Sequence, residues 1–243
     1  MAVLVTRPVP DNKATADALR ARGYDAALSP VLLFEPVPFH DKADVRYDGV
    51  LVTSANALRA VADHPSLVAW RKLRLFAVGE ATADVARQIG FTNILVADGD
   101  GASLRDLVIA KLKKGGALCY LAGEVLSRDL AGELDARGYT VVTHTVYRMV
   151  PVSQLTADVI AAFNADRIEA VLHFSRRSAR AFFDAARGSA VEISALALPH
   201  CCISEAVATI AREAGVSRVA VAQAPDEKSA LDALERIVKP SSR

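Results

Sequence analysis

The sequence predicts an α/β protein of two Rossmann-like domains, each a flavodoxin-like parallel sheet flanked by helices. Three observations lead there. Short apolar runs alternate with longer amphipathic stretches rich in Ala, Leu and Arg, which is the pattern of βα units. A three-part block of sequence occurs twice. Two extended, proline-bounded segments, Pro30 to Pro38 and Thr143 to Pro151, interrupt the alternation and suit paired linker strands better than helices.

The chain opens with Ala2 to Thr6 as a strand and Asn12 to Arg22 as a helix closed by Gly23. Further strands are expected at Ala26 to Ser29, Gly49 to Thr53, Leu75 to Val78, Asn93 to Val96 and Ala117 to Leu121. The remainder fall at Val141 to Thr145, Ala170 to Phe174, His200 to Ile203 and Arg218 to Val221, with helices filling most of the intervals.

The repeat decides the domain count. Leu19-Arg20-Ala21-Arg22-Gly23-Tyr24 returns as Leu134-Asp135-Ala136-Arg137-Gly138-Tyr139, and the same offset carries Val31 to Val146 and Pro36-Val37 to Pro151-Val152 without a gap. We label this segment A and its copy A′. Segment B, Val50-Leu51-Val52-Thr53-Ser54 leading to Arg59-Ala60, is echoed in B′ by Val171-Leu172-His173-Phe174-Ser175 leading to Arg180-Ala181. Segment C, from Val78-Gly79-Glu80-Ala81 to Gly90, is echoed in C′ from Ile203-Ser204-Glu205-Ala206 to Gly215, and both run on to a strand ending Val96-Ala97 or Val221-Ala222. Generic βα resemblance does not require a gapless match across all of A. A duplicated α/β unit predicts two similar domains, and two such domains facing each other predict a cleft. Two linkers mean that the chain leaves the first domain, builds the second and returns.

Composition narrows the function. At 243 residues, 52% hydrophobic and 23% charged, the chain can bury one large or two small cores. Lys+Arg 29 against Asp+Glu 28 leaves a net charge of +1, so no global field gathers nucleic acid or repels an anion. Any anion site must be local. The opening apolar run, Ala2 to Val5, is stopped at once by Arg7 and Pro8 and is too short for a signal-peptide core. No apolar stretch approaches the roughly 20 residues that span a bilayer. Cys119, Cys201 and Cys202 stand in strand-like apolar runs and read as small buried hydrophobes of a reducing compartment. A cytoplasmic protein with neither a nucleic-acid nor a membrane partner is expected.

The familiar cofactor motifs are missing. Gly99-Asp100-Gly101 runs into Ala102, Ser103 and Leu104, so it is a loop before a helix rather than a dinucleotide fingerprint. Gly115-Gly116 precedes a strand, not a Lys-Ser/Thr pair, and the five histidines never approach metal-ligand spacing. Neither metal nor organic cofactor is expected. What remains are strand-to-helix junctions rich in small hydroxyl residues: Thr6-Arg7, Thr53-Ser54, Gly79 to Thr82, Gly123 to Ser127, Ser175 to Ser178, and Ser204-Glu205. In parallel α/β sheets these line the carboxyl edge, where helix starts offer free N–H groups to carboxylates and phosphates. Each hydroxyl can equally be a plain N-cap, worth about 1 kcal/mol. Tyr147 lies in the second linker, where a phenol can donate a proton or a hydrogen bond without carrying charge or can simply pack the linker. Arg7, Arg128, Arg148, Arg176 and Arg177 are candidate carboxylate forks.

The pieces V-T-R-P at the start, Val52-Thr53-Ser54 with Asn56, Val78-Gly79 with Ala81-Thr82-Ala83, Val146-Tyr147-Arg148, and Phe174-Ser175 with Ser178 together resemble the uroporphyrinogen-III synthase family, in order and spacing, over essentially the whole chain. The resemblance implies a swapped duplication, in which A joins B′ and C′ while A′ joins B and C, with a two-stranded linker ladder between. The implied bounds are 1–35 plus 152–243 for the first domain, 39–143 for the second, and 36–38 and 144–151 for the linkers. It implies a cofactor-free monomeric lyase that closes hydroxymethylbilane to uroporphyrinogen III with one ring inverted, and a transient contact with the upstream bilane-forming enzyme. Tyr147 would serve the departing hydroxyl. Thr6, Arg7, Thr53, Ser54, Thr82, Gly123, Ser175, Ser178 and Ser204 would hold the acetate and propionate arms. Two departures stand out: Ser204, Glu205, Ala206 and Val207 replace a glycine-threonine turn common in the family, and Arg176 and Arg177 stand where a proline often follows the serine. The rival reading is a two-domain protein that binds an anionic small molecule without chemistry.

Overall fold

The structure is a computed structural model that describes residues 1–41 and 45–240; residues 42–44 and 241–243, which fall within the expected domain bounds, lie outside the described residues. The chain begins with β1 (Ala2–Val5), α1 (Asp11–Ala21), β2 (Asp25–Leu28) and β3 (Leu32–Pro36). It continues with β4 (Gly49–Val52), α2 (Ala55–Ala60), α3 (Leu67–Trp70), β5 (Arg74–Ala77), α4 (Glu80–Gln88), β6 (Ile94–Val96) and α5 (Gly101–Lys111). Then follow β7 (Ala117–Gly123), α6 (Leu130–Asp135), the long β8 (Thr140–Pro151), α7 (Ala157–Asn164), β9 (Ile168–His173), α8 (Arg176–Gly188) and α9 (Glu192–Ala197). The last elements are β10 (His200–Cys202), α10 (Glu205–Glu213), β11 (Val219–Val221) and α11 (Glu227–Glu235). Among the described residues no helix is long and apolar enough to cross a membrane.

Contacts divide the chain into unit 1, Met1–Leu33 with Val150–Arg243, and unit 2, Phe34–Met149. The changeovers fall inside β3 and β8. These segments are sheet rather than free linker, because the two strands are hydrogen-bonded neighbours. Val37 N–H donates to Val146 O at 2.8 Å and Val152 N–H to Val31 O at 3.1 Å, so one strand runs against the other. That pairing explains why β8 extends to Pro151 instead of stopping near Thr145.

Unit 1 carries the sheet order β11-β10-β9-β1-β2, and unit 2 the order β3-β8-β7-β4-β5-β6. Without β3 the two orders are the same, with A joined to B′C′ and A′ joined to BC. The registers agree as well. Val3 faces Ala26 as Leu118 faces Val141, and Leu4 faces Val171 as Cys119 faces Val50. Leu75 opposite Val50 and Ile94 opposite Leu75 are matched by His200 opposite Val171 and Val219 opposite His200. A one-residue slip between the copies would have sent every side chain to the wrong face; at these positions the two registers coincide.

These strands are covered by helices on both faces, which is why they read as continuous apolar runs: β4 is buried throughout and Val3, Leu4 and Val5 are fully inaccessible. In unit 2, Val50, Val52, Cys119 and Leu121 pack with Leu58, Trp70 and Ala83 from α2, α3 and α4. Leu51, Leu118, Tyr120 and Ala122 point the other way, against Leu104 and Val108 of α5 and Leu130 and Leu134 of α6. The repeated Arg-Gly-Tyr also has a backbone reason. Gly23 and Gly138 have φ of +84° and +88°, the left-handed turn that ends a helix and favours glycine. Tyr24 N–H then reaches back to Leu19 O, and Tyr139 N–H to Leu134 O.

The cysteines are buried and unpaired; burial pushes the thiols up, Cys201 and Cys202 to about 12. Unit 1 also buries two histidines. His200 Nε2 lies 2.9 Å from Ala195 O, and its Nδ1 lies 2.9 Å from His173 Nε2. A carbonyl only accepts, so neutral His200 carries its proton on Nε2 and takes one from His173. His173 Nδ1 has no hydrogen-bond partner among the described residues.

Candidate active site

The carboxyl edge of unit 2 opens into a cavity of about 400 Å³. Three junctions and two strands build it. The turn after β4 supplies Thr53 and Ser54, the start of α5 supplies Asp100 and Gly101, the segment after β7 supplies Arg128, the end of β7 supplies Gly123, and β8 supplies Tyr147. Tyr120 lines it from within β7.

Tyr147 reaches this edge because of a local irregularity. The β7–β8 register runs from Ala122 opposite Thr145 to Gly123 opposite Tyr147, so β8 carries one extra residue there. A regular strand would send Val146 and Tyr147 to opposite faces; here both pack against the same core. A bulge re-aims a side chain in this way. The phenol ring then lies on Gly123: a Cβ at that glycine would stand 2.7 Å from Tyr147 Cζ and 2.8 Å from its hydroxyl oxygen. Gly123 is therefore needed for the space it leaves. Phe34 stacks on Tyr147 at 5.8 Å between ring centres, and Tyr147 O accepts from Glu124 N–H at 2.9 Å.

The rest of the edge is polar but electrically balanced. Ser54 caps α2, its Oγ accepting Asn56 N–H at 3.2 Å. Thr53 Oγ1 and Tyr120 Oη are 3.1 Å apart, and burial raises the Tyr120 phenol above its usual range. Asp100 caps α5, accepting Ser103 N–H at 2.7 Å, and that bond with the Ser103 hydroxyl holds its carboxyl below the usual range. The positive end of α5 is thus already occupied by a carboxylate. Arg128 makes a two-pronged pair with Glu133, Nε to Oε1 at 2.6 Å and Nη2 to Oε2 at 2.9 Å, and this pair, with Arg105, holds Glu133 low.

Of the residues expected at the site, Thr53, Ser54, Gly123 and Tyr147 come together here. Thr82 is buried in α4 and does not line the cavity. Ser175, Ser178 and Ser204 belong to unit 1: Ser175 caps α8 through Ser178 N–H at 3.0 Å, and Ser204 begins α10 without a side-chain cap bond. The first strand's pair is engaged elsewhere. Thr6 is fully buried, its hydroxyl donating to Leu172 O at 3.1 Å. Arg7 bonds Glu227 at 2.6 Å, Asp11 at 3.2 Å and Thr15 at 3.2 Å while stacking over Phe174 at 4.4 Å. Its fork is filled by the chain's own carboxylates. Arg148 likewise pairs with Glu35 at 2.8 Å. Sequence reasoning missed Tyr120 and treated Asp100-Gly101 as an ordinary loop; Asp100 followed three residues later by Ser103 was a legible cap, whereas nothing in an apolar run marks where a tyrosine hydroxyl ends.

The duplicated parallel fold and this edge of hydroxyls, two phenols and one tethered arginine define a class: a two-unit α/β protein with a polar cavity at the carboxyl edge of unit 2. The family model described as Uroporphyrinogen-III synthase HemD matches residues 13–232, and the chain belongs to the uroporphyrinogen-III synthase family, lyases that cyclise hydroxymethylbilane to uroporphyrinogen III in tetrapyrrole biosynthesis. Among solved structures, the uroporphyrinogen-III synthetase of Helicobacter pylori 26695 is similar at a TM-score of 0.67 and 16% identity, covering 98% of this chain and 99% of that one. A mutant uroporphyrinogen III synthase from the extremely thermophilic bacterium Thermus thermophilus is similar at 0.56 and 18%, covering 97% and 98%. At these identities the structures establish the shared fold. No curated protein matches.

Proposed function

We propose that the family's reaction is carried out at the carboxyl edge of unit 2, with Tyr147 as the proton donor to the departing hydroxyl. The single observation behind this reading is the bulge that turns Tyr147 onto Gly123 and into the same cavity as Thr53 and Ser54. Protonation by the phenol lets the terminal C–O bond break with loss of water and leaves a phenolate and a protonated, electrophilic azafulvene. The far pyrrole attacks it at its substituted carbon, the spiro intermediate fragments and recloses with that ring turned over, and the proton lost from the newly bonded pyrrole carbon restores the phenol. Thr53 and Ser54 hold carboxylate arms during this sequence, and positioning carries more of the selectivity than any one acid. In unit 1, Ser175, Ser178 and Ser204 are further hydroxyls suited to carboxylates. The protein acts as a cytoplasmic monomer that receives its unstable substrate from the bilane-forming enzyme.

The test is to supply freshly generated hydroxymethylbilane and resolve the oxidised products by isomer. Isomer III is expected. Isomer I alone, the product of uncatalysed closure, would leave the chain as a binding protein.

A further inference from the structure

The pocket contains a second phenol whose hydrogen bond has a direction. Tyr120 is 2% exposed, its ring held in the core between β7 and helices α5 and α6. Its hydroxyl meets Thr53 Oγ1 at 3.1 Å, in a bond where either oxygen can donate. A phenol O–H is a better hydrogen-bond donor than an aliphatic alcohol. With Tyr120 donating, the Thr53 oxygen is engaged as an acceptor and the Thr53 hydrogen is left to turn outward. The neighbouring hydroxyl is arranged the same way: Ser54 Oγ accepts Asn56 N–H, and its own hydrogen has no acceptor among the described residues. Thr53 and Ser54 are consecutive residues lining one cavity, and each hydroxyl that accepts from behind keeps a hydrogen to offer a carboxylate oxygen.

We propose that Tyr120 is a positioning residue, orienting Thr53 as a hydrogen-bond donor to a carboxylate arm of the substrate. The proposal rests on the reading of unit 2 as the site of ring closure. Its signature is a dependence of Tyr120 on Thr53. Tyr120→Phe keeps the ring and its packing while releasing the Thr53 oxygen to compete for its own hydrogen.

A double-mutant cycle on Tyr120→Phe and Thr53→Val tests it. Two quantities are read: the equilibrium affinity for uroporphyrin, the stable oxidised octacarboxylate, and KM against kcat with hydroxymethylbilane. Each single variant is expected to bind uroporphyrin about tenfold more weakly and to raise KM by a similar factor, with kcat within about twofold. The double variant is expected to be no worse than Thr53→Val alone, and Thr53→Ser to restore most of the loss. Independent losses that multiply in the double variant, or a Tyr120→Phe protein that loses thermal stability while keeping affinity and KM, would overturn the proposal. Wild-type protein yielding only isomer I would instead remove the ring-closure reading, and the binding cycle would still report on Tyr120 separately.

Discussion

The two units share strand order and register, yet their carboxyl edges are finished differently. In unit 2 the repeat places Tyr120 at the level of Val5, Gly123 at the level of Pro8, and Thr53 at the level of Phe174. The result there is an open, hydroxyl-lined cavity. In unit 1 the part of that edge after β1 is taken up by the chain's own side chains, with Arg7 stacked on Phe174 and tied to Glu227, and Thr6 buried. Duplication supplied one frame twice; a few different residues at strand ends left one edge open and tied the other with an ion pair. Catalytic loss should therefore follow substitutions in unit 2, and stability loss those in unit 1.

The sharpest way to break that contrast is Tyr147→Phe. Removing the donor while keeping the ring on Gly123 should lower kcat by about 100-fold or more, with the melting temperature nearly unchanged. Near-normal turnover in a stopped assay would take Tyr147 out of the chemistry. Gly123→Ala should come next: the new methyl displaces the phenol, costing about 1–3 kcal/mol of stability as an overpacked site and roughly tenfold in kcat. A variant that keeps both would show that the ring can move aside freely.

In unit 1, the histidine pair predicts a pH dependence of stability. Burial drives His200 down to about 4 and His173 well below its ordinary range. Folded, both stay neutral as the pH falls through 6.5, whereas the unfolded chain takes up their protons. Their contribution is therefore complete above about pH 6.5 and is lost as the pH falls from there toward 4, at about 1.4 kcal/mol per pH unit for each histidine. Urea midpoints at pH 7.5 and pH 5.5 should differ accordingly, and by about half as much in His173→Phe, which leaves His200 buried. The smallest effect on catalysis is expected from Arg7→Ala. It loses a half-buried ion pair and a cation–π contact, about 1–2 kcal/mol together, while kcat/KM stays within about twofold. A tenfold loss of activity without destabilisation would return Arg7 to the substrate.

Much of this architecture was legible in the amino acids. The segment A match foretold two similar sheets, and their registers follow it, because Leu19-to-Tyr24 and Leu134-to-Tyr139 turn on the same left-handed glycine and place the next strand at the same level. Continuous apolar runs gave away strands covered on both faces. What could not be read were features settled by a partner strand. The bulge opposite Ala122-Gly123 exists only in the pairing of β7 with β8, and the length of β8 depends on β3 beside it. The opening Thr6-Arg7 looked like an edge site, but its exposure depended on Glu227, some 220 residues away. Tyr120 looked like one more apolar strand residue, since only the fold shows its hydroxyl reaching Thr53.

Ring closure with inversion at the edge of unit 2 meets its most direct test in one side-by-side measurement. Wild-type, Tyr147→Phe and Arg7→Ala proteins, each checked for folding, are given fresh hydroxymethylbilane, and isomers I and III are quantified over time. Isomer III is predicted at comparable rates from wild-type and Arg7→Ala, with Tyr147→Phe falling back to mostly isomer I. Isomer III formed at the wild-type rate by Tyr147→Phe would contradict that assignment.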